Sequence, residues 1–112
     1  MQITALSEFD FHSQLAQSNG TSLVFFTAPG CGSCRIWLQL LQNFYHPVLQ
    51  QCFSVDAQIA TALVREYDIF HLPSLFLFVN GRFQAPIHAQ ASAPLLAAAI
   101  THALAQPAHE EP

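Results

Sequence analysis

Leu23-Val24-Phe25-Phe26-Thr27-Ala28-Pro29-Gly30-Cys31-Gly32-Ser33-Cys34-Arg35-Ile36-Trp37-Leu38-Gln39-Leu40-Leu41 decides the fold. Its first five residues are an apolar run of strand length, and its last seven recur at helical spacing. The two cysteines therefore sit where a strand turns into a helix. Thiols at that junction feel the unpaired N–H groups and the positive end of the helix dipole. That environment favours thiolate, the reactive form of cysteine. Two thiols three positions apart also close into a disulfide with little backbone movement. Position and spacing together imply a reversible dithiol/disulfide couple.

The rest of the chain supplies elements of matching size. Ser7 reads as the N-cap of a helix from Glu8 to Gln17 that carries Phe9, Phe11 and Leu15, with Asn19-Gly20 as its stop. The helix behind the cysteines is expected to reach about Tyr45, with Trp37, Leu38, Leu41, Phe44 and Tyr45 on one apolar face. His46-Pro47 interrupts it. A short strand follows at Cys52–Asp56, then a helix from Ala57 to Tyr67 carrying Ile59, Leu63, Val64 and Tyr67. Ser74–Val79 is the second strong strand. Asn80-Gly81 is a hairpin turn, and Arg82-Phe83-Gln84-Ala85 begins the returning strand. Ser92 caps a last helix from Ala93, with Pro94 in its first turn. A further strand at Gln2–Ala5 completes the set. Alternating strands and helices imply a parallel half, and the hairpin adds an antiparallel half.

Composition bounds the function. The chain has 112 residues, of which 52% are apolar and 9% charged, so one domain with one well-buried core is expected. Residues 1–105 form that domain and 106–112 read as a flexible tail. There is no lysine, and Arg35, Arg65 and Arg82 are scattered across a chain of net charge −4. No basic stripe exists for nucleic acid. No apolar run approaches the roughly 18–20 residues of a membrane span. The N-terminus lacks a basic region followed by an apolar one, so the cytoplasm is the expected compartment. So little charge also lowers repulsion between copies, which opens a route to self-association. Three cysteines are too few for a disulfide framework. Cys52 reads as a small buried apolar residue, with a redox-sensitive third thiol as the alternative.

Taken together, Phe26-Thr27-Ala28-Pro29-Gly30-Cys31-Gly32-Ser33-Cys34, the strand end Val55-Asp56, and Leu72-Pro73-Ser74-Leu75-Phe76-Leu77-Phe78 running into Asn80-Gly81 resemble thioredoxin-like proteins. The resemblance extends from about Ile3 to Leu104. It implies an α/β, thioredoxin-like fold: a central mixed sheet of four to five strands with helices on both faces. It also implies that the Leu72–Pro73 bond is cis and faces the cysteines, and that Leu72 offers backbone groups to an extended substrate. The implied activity is thiol–disulfide exchange with protein thiols and disulfides, served by an unidentified reductase or thiol donor. Cys31 is the expected nucleophile, with the lower thiol pKa, and Cys34 the resolving thiol. Gly30 is expected beside the substrate, with Gly32, Ser33 and His71 in support. No cofactor is implied beyond the Cys31/Cys34 couple.

This sequence also departs from the family pattern. Phe25 stands where many thioredoxins carry a buried aspartate, and Cys52 stands where a lysine often accompanies it. The family's aromatic residue before the first cysteine is Gly30 here, and a second tryptophan position is Thr27. Gln39 replaces a helix-kinking proline, and no glycine matches near Ala89. Without the aspartate, water or a nearby histidine must accept the proton of the second thiol. These changes set the chain apart from a general-purpose thioredoxin. A binding or regulatory module with little turnover is the alternative function. Two further readings of the cysteine pair stay open, a partnerless stabilising disulfide and a metal site. The metal reading needs two more ligands, for which Cys52 and His71 or His46 qualify by type alone.

Overall fold

The computed structural model describes all residues, Met1–Pro112. The elements run β1 (Ile3–Leu6), α1 (Phe11–Gln17), β2 (Thr21–Thr27), α2 (Gly32–Gln42), β3 (Leu49–Asp56), α3 (Thr61–Glu66), β4 (Ser74–Val79), β5 (Arg82–Ile87) and α4 (Ala93–Ala105). The five strands form one mixed sheet in the order β1-β3-β2-β4-β5. β1, β3 and β2 are parallel, while β4 and β5 run antiparallel to their neighbours.

β2 is the central strand and is buried from Thr21 to Phe26 without a break. A strand covered on both faces shows such a continuous apolar run. Its alternate residues divide between two cores. Leu23 and Phe25 face α2 and α4, together with Cys34, Trp37, Leu41, Leu96 and Ile100. Val24 and Phe26 face α1 and α3, together with Phe11, Leu15 and Leu63. β4 divides in the same way, Leu75 and Leu77 against Phe76 and Phe78. In β5, Phe83 and Ala85 face opposite cores although they are two residues apart. A register shift between Leu77 and Phe78 explains this, because a bulge at Gln84 reverses the alternation. The freed Gln84 side chain donates to the carbonyls of Ala103 and Gln106 and so ties α4 to the sheet.

Several expected boundaries move. α1 begins at Phe11 rather than Glu8, with Asp10 as its N-cap. The Ser7 N–H and hydroxyl both donate to Asp10 Oδ1, closing a local turn in place of a helical one. Phe9 is left outside the core at 91% exposure. α2 ends at Gln42, so Trp37, Leu41 and Phe44 are buried while Tyr45 is not. α3 begins at Thr61, which leaves Ile59 in an exposed loop. β3 starts three residues earlier than expected, at Leu49. The hairpin turn is as read, with Asn80 at φ +51° and Gly81 at φ +80°, as a two-residue turn requires. Ser92 caps α4 through Leu95 N–H, with Pro94 in the first turn. The last residues lie back along β5. His109 N–H donates to the Gln84 carbonyl, and the Tyr67 hydroxyl donates to Glu111. No helix is long and apolar enough to cross a membrane.

Candidate active site

The parallel strands β1, β3 and β2 end together at Leu6, Asp56 and Thr27, and β4 begins beside Phe26. The Cys31–Cys34 turn and the Leu72-Pro73 pair both lie just beyond that end of the sheet. The loop after β2 turns through Gly30, whose φ of +79° is a conformation that side chains rarely adopt. Glycine in place of the family's aromatic residue therefore matches the local backbone.

Cys31 is the N-cap of α2, and its sulfur accepts the Cys34 N–H at 3.2 Å. An N-cap acceptor satisfies one of the helix's free donors and sits at the positive end of its dipole. Ser33 Oγ lies 3.6 Å from the same sulfur. Cys31 and Cys34 are joined in a disulfide, with their Cα atoms 5.2 Å apart. The two differ in depth. Cys31 is half-buried, whereas Cys34 is 3% exposed and packs in the core with Phe25, Trp37 and Cys52. Gly32 opens the helix, and a Cβ there would meet nothing within 4 Å.

Two cavities lie at this end of the sheet, and one of them holds the pair. One, of about 300 Å³, is lined by Thr27, Gly30, Cys31, Cys34, Arg35 and Asp56 among others. The other, of about 400 Å³, is lined by Trp37, Phe70, His71, Leu72, Pro73 and His88 among others. The Leu72–Pro73 bond is cis. His71 is exposed and belongs to the second cavity rather than to the one that holds the cysteines. Its carbonyl accepts the Ser74 hydroxyl at 2.7 Å, which fixes the start of β4.

Asp56 is the residue that sequence reasoning passed over. It closes β3 directly opposite Thr27 and reaches the cysteine cavity from a strand more than twenty positions away. Spacing along the chain carries no trace of that proximity; the parallel register creates it. Cys52 is 1% exposed, and burial pushes its thiol up to about 12, so it stays protonated and inert at neutral pH. His46 is also buried. Its Nδ1 accepts the Val48 N–H and its Nε2 lies 2.9 Å from the Thr101 hydroxyl, which accounts for both ring nitrogens. No three His, Cys, Asp or Glu side chains come together in a group that would hold a metal ion.

Comparison with known proteins agrees with this geometry. The family model described as Thioredoxin matches residues 2–102. A thioredoxin of Griffithsia pacifica is 27% identical over 84 residues, covering 73% of this chain and 77% of its own length. The thioredoxin-like protein slr0233 of Synechocystis is 32% identical over 81 residues, covering 70% of this chain and 74% of its own. Protein disulfide-isomerase 2-3 of Arabidopsis thaliana is 32% identical over 92 residues, covering 79% of this chain but 20% of that longer protein. A match from β1 to α4, on a sheet that sets a Cys-Gly-Ser-Cys disulfide at a helix start, places the chain in the thioredoxin family of thiol–disulfide oxidoreductases.

Proposed function

We propose that Cys31 is the attacking thiol and Cys34 the resolving thiol in disulfide exchange with protein substrates. The observation that carries this is their difference in depth at one helix terminus, half-buried against 3% exposed. In the reduced protein, the Cys31 thiolate attacks a substrate disulfide and forms a mixed disulfide, releasing one substrate sulfur as thiolate. Cys34 then attacks Cys31. The bond between Cys31 and the substrate breaks, its electron pair leaves on the second substrate sulfur, and the Cys31–Cys34 bond forms. A reductase or small thiol returns the two electrons.

The Cys34 N–H and Ser33 hydroxyl stand ready to stabilise the Cys31 thiolate, which supports the lower pKa assigned to that thiol. Leu72 and Pro73 are assigned to main-chain pairing with an extended substrate segment, with His71 at its edge and Gly30 leaving room beside the first sulfur. Exposed Phe9 and Phe70 lie in loops at the same end of the sheet and supply apolar surface for a docking polypeptide. Cysteine usage supports a cytoplasmic setting, since the single short-range pair is not a structural framework.

Dithiol-dependent insulin reduction tests the reading. Turnover is expected to fall to background in Cys31→Ser. Cys34→Ser is expected to retain substrate proteins through Cys31, released by added dithiol. Full turnover in Cys31→Ser overturns the assignment, and a stable dithiol-resistant complex without turnover favours the binding module instead.

A further inference from the structure

Resolution of the mixed disulfide requires Cys34 to lose a proton, and the core beneath it offers no acceptor. Phe25 occupies the strand position where a carboxylate would serve, is fully buried, and packs in the same core as Cys34. Cys52, in that core too, holds its own proton. The side of the site is different. The 300 Å³ cavity that contains Cys34 is lined by just two ionisable side chains besides the cysteines, Arg35 and Asp56. A guanidinium does not accept protons at working pH, so the carboxylate is the one base available there.

We propose that Asp56 accepts the Cys34 proton during resolution, through water held in the cavity beside Thr27. This rests on the assignment of Cys34 as the resolving thiol. Three observations build it. Asp56 is fixed by the sheet, paired opposite Thr27, with the Ala57 N–H donating to the Thr27 carbonyl at 2.8 Å. One carboxylate oxygen, Oδ1, accepts the Gln58 N–H at 2.9 Å, and Oδ2 has no partner within the protein. Thr27 presents a small side chain to the cavity, whose volume of about 300 Å³ has room for several waters at roughly 30 Å³ each.

Charge surrounds Asp56 from two directions. Arg35 on α2 lies in the same cavity, and Glu8 and Asp10 from the β1–α1 loop share a second cavity behind it. Glu8 accepts the Ala62 N–H and Asp10 accepts the Ser7 N–H, so both are occupied locally. In the step itself, the Cys34 proton passes through water to Asp56 while the Cys34 sulfur bonds to Cys31. The substrate sulfur leaves with the electron pair and takes a proton from solvent. When the disulfide is reduced again, the same carboxylic acid returns its proton to the departing Cys34 sulfur. With Phe25 beneath the thiols and open space at Thr27 beside them, the proton route runs beside the sulfurs rather than beneath them.

Stopped-flow reaction of the reduced protein with dithionitrobenzoate separates the two steps. The first thionitrobenzoate released reports attack by Cys31, and the second reports resolution by Cys34. Asp56→Asn keeps the acceptor for the Gln58 N–H and is expected to leave the first phase unchanged. Its second phase is expected to slow about 10-fold to 100-fold, with the gap narrowing as rising pH ionises Cys34 unaided. Thr27→Trp, which fills the cavity, is expected to slow the same phase. An unchanged second phase in Asp56→Asn overturns the proposal, as does equal slowing of both phases at every pH. Cys31→Ser separates this from the underlying assignment: a fast first phase in that variant defeats the role of Cys31 whatever Asp56 does.

Discussion

The two faces of the sheet carry cores of similar size, 15 buried residues on one side and 13 on the other, but of opposite character. The face under α2 and α4 is mainly aliphatic, with Phe25, Trp37 and Phe44 as its rings, and holds all the buried sulfur, Cys34 and Cys52, beside Leu23, Leu77, Leu96 and Ile100. The face under α1 and α3 is an aromatic mesh. Phe11, Phe26, Tyr67, Phe76, Phe78 and Phe83 touch one another with ring centroids 5.5 to 6.3 Å apart, many of them edge to face. Such ring pairs add about 0.5–1.5 kcal/mol each beyond the area they bury. The cysteine pair therefore stands on the mainly aliphatic core, and the ring network lies behind it. β2 joins the two, because successive residues of one strand face opposite sides.

The largest effect should come from the mesh. Phe11 is fully buried and meets Phe26, Tyr67 and Phe78. Phe11→Ala is expected to lower stability by about 3–5 kcal/mol in denaturant unfolding, through lost transfer energy and the cavity left behind. Below its melting point the variant should resolve mixed disulfides at the wild-type rate, since no mesh residue lines the cysteine cavity. A loss of stability under 1.5 kcal/mol, or a matching loss in thiol kinetics, breaks the division between the faces.

The same division sets what was legible along the chain. Strand β2, the cysteine turn and the Leu72-Pro73 lead into β4 depend on residues adjacent in sequence, and all three stand as read. Errors arise where an apolar residue continues a helical rhythm after the helix has ended. Phe9, Tyr45 and Ile59 fit the 3.6-residue period, yet each lies outside the helix that would have buried it. Periodicity records which face a residue takes if the helix exists, but hydrogen bonding at the ends decides whether it does. The Ser7–Asp10 turn is one such decision. Leu49-Gln50-Gln51 does not read as strand along the chain because two adjacent glutamines break the apolar alternation. The nearness of Asp56 to the cysteines is hidden along the chain for another reason, that contact between parallel strands is set by register rather than by spacing.

Alkaline unfolding sharpens the comparison, because each face buries one weak acid. Burial raises the Cys52 thiol from an ordinary 9.0 to about 12. Tyr67 is raised above its ordinary 10.0 by burial first, then by its hydrogen bond to Glu111 and the charges of Glu111 and Glu66. In both cases the folded protein keeps a proton that the unfolded chain has released. The stability involved is complete below the unfolded value and drains away as pH rises toward the folded one. For Cys52 that window is 9.0 to about 12 and spans about 4 kcal/mol in all, at 1.36 kcal/mol for each pH unit. With the Cys31–Cys34 pair oxidised, the wild type is expected to lose about 1.4 kcal/mol between pH about 8 and about 10. Cys52→Ala should be nearly flat over that interval. Tyr67→Phe should keep this first decline and fall less steeply than the wild type above pH 10.0, where Cys52 alone still contributes. Equal declines in all three proteins exclude the assignment of one acid to each face.

The smallest effect concerns how the sulfur-bearing face is held without an aromatic mesh. There the loop between α2 and β3 is fastened to α4 by His46. With Nδ1 accepting the Val48 N–H, a neutral ring carries its proton on Nε2 and donates it to the Thr101 hydroxyl at 2.9 Å. Val48 lies in the loop that follows α2 and Thr101 on α4, so the imidazole ties the end of that loop to the last helix. His46→Ala is expected to cost about 1–2 kcal/mol, from two net hydrogen bonds near 1 kcal/mol each partly offset by water entering the space left by the ring. Thr101→Val removes one bond while keeping the shape, and should cost about 1 kcal/mol or less. If His46→Ala proves as damaging as Phe11→Ala, rigidity is shared by both faces. If it slows the resolving step as well as lowering stability, the fastening positions Cys34 and is part of the active site's support.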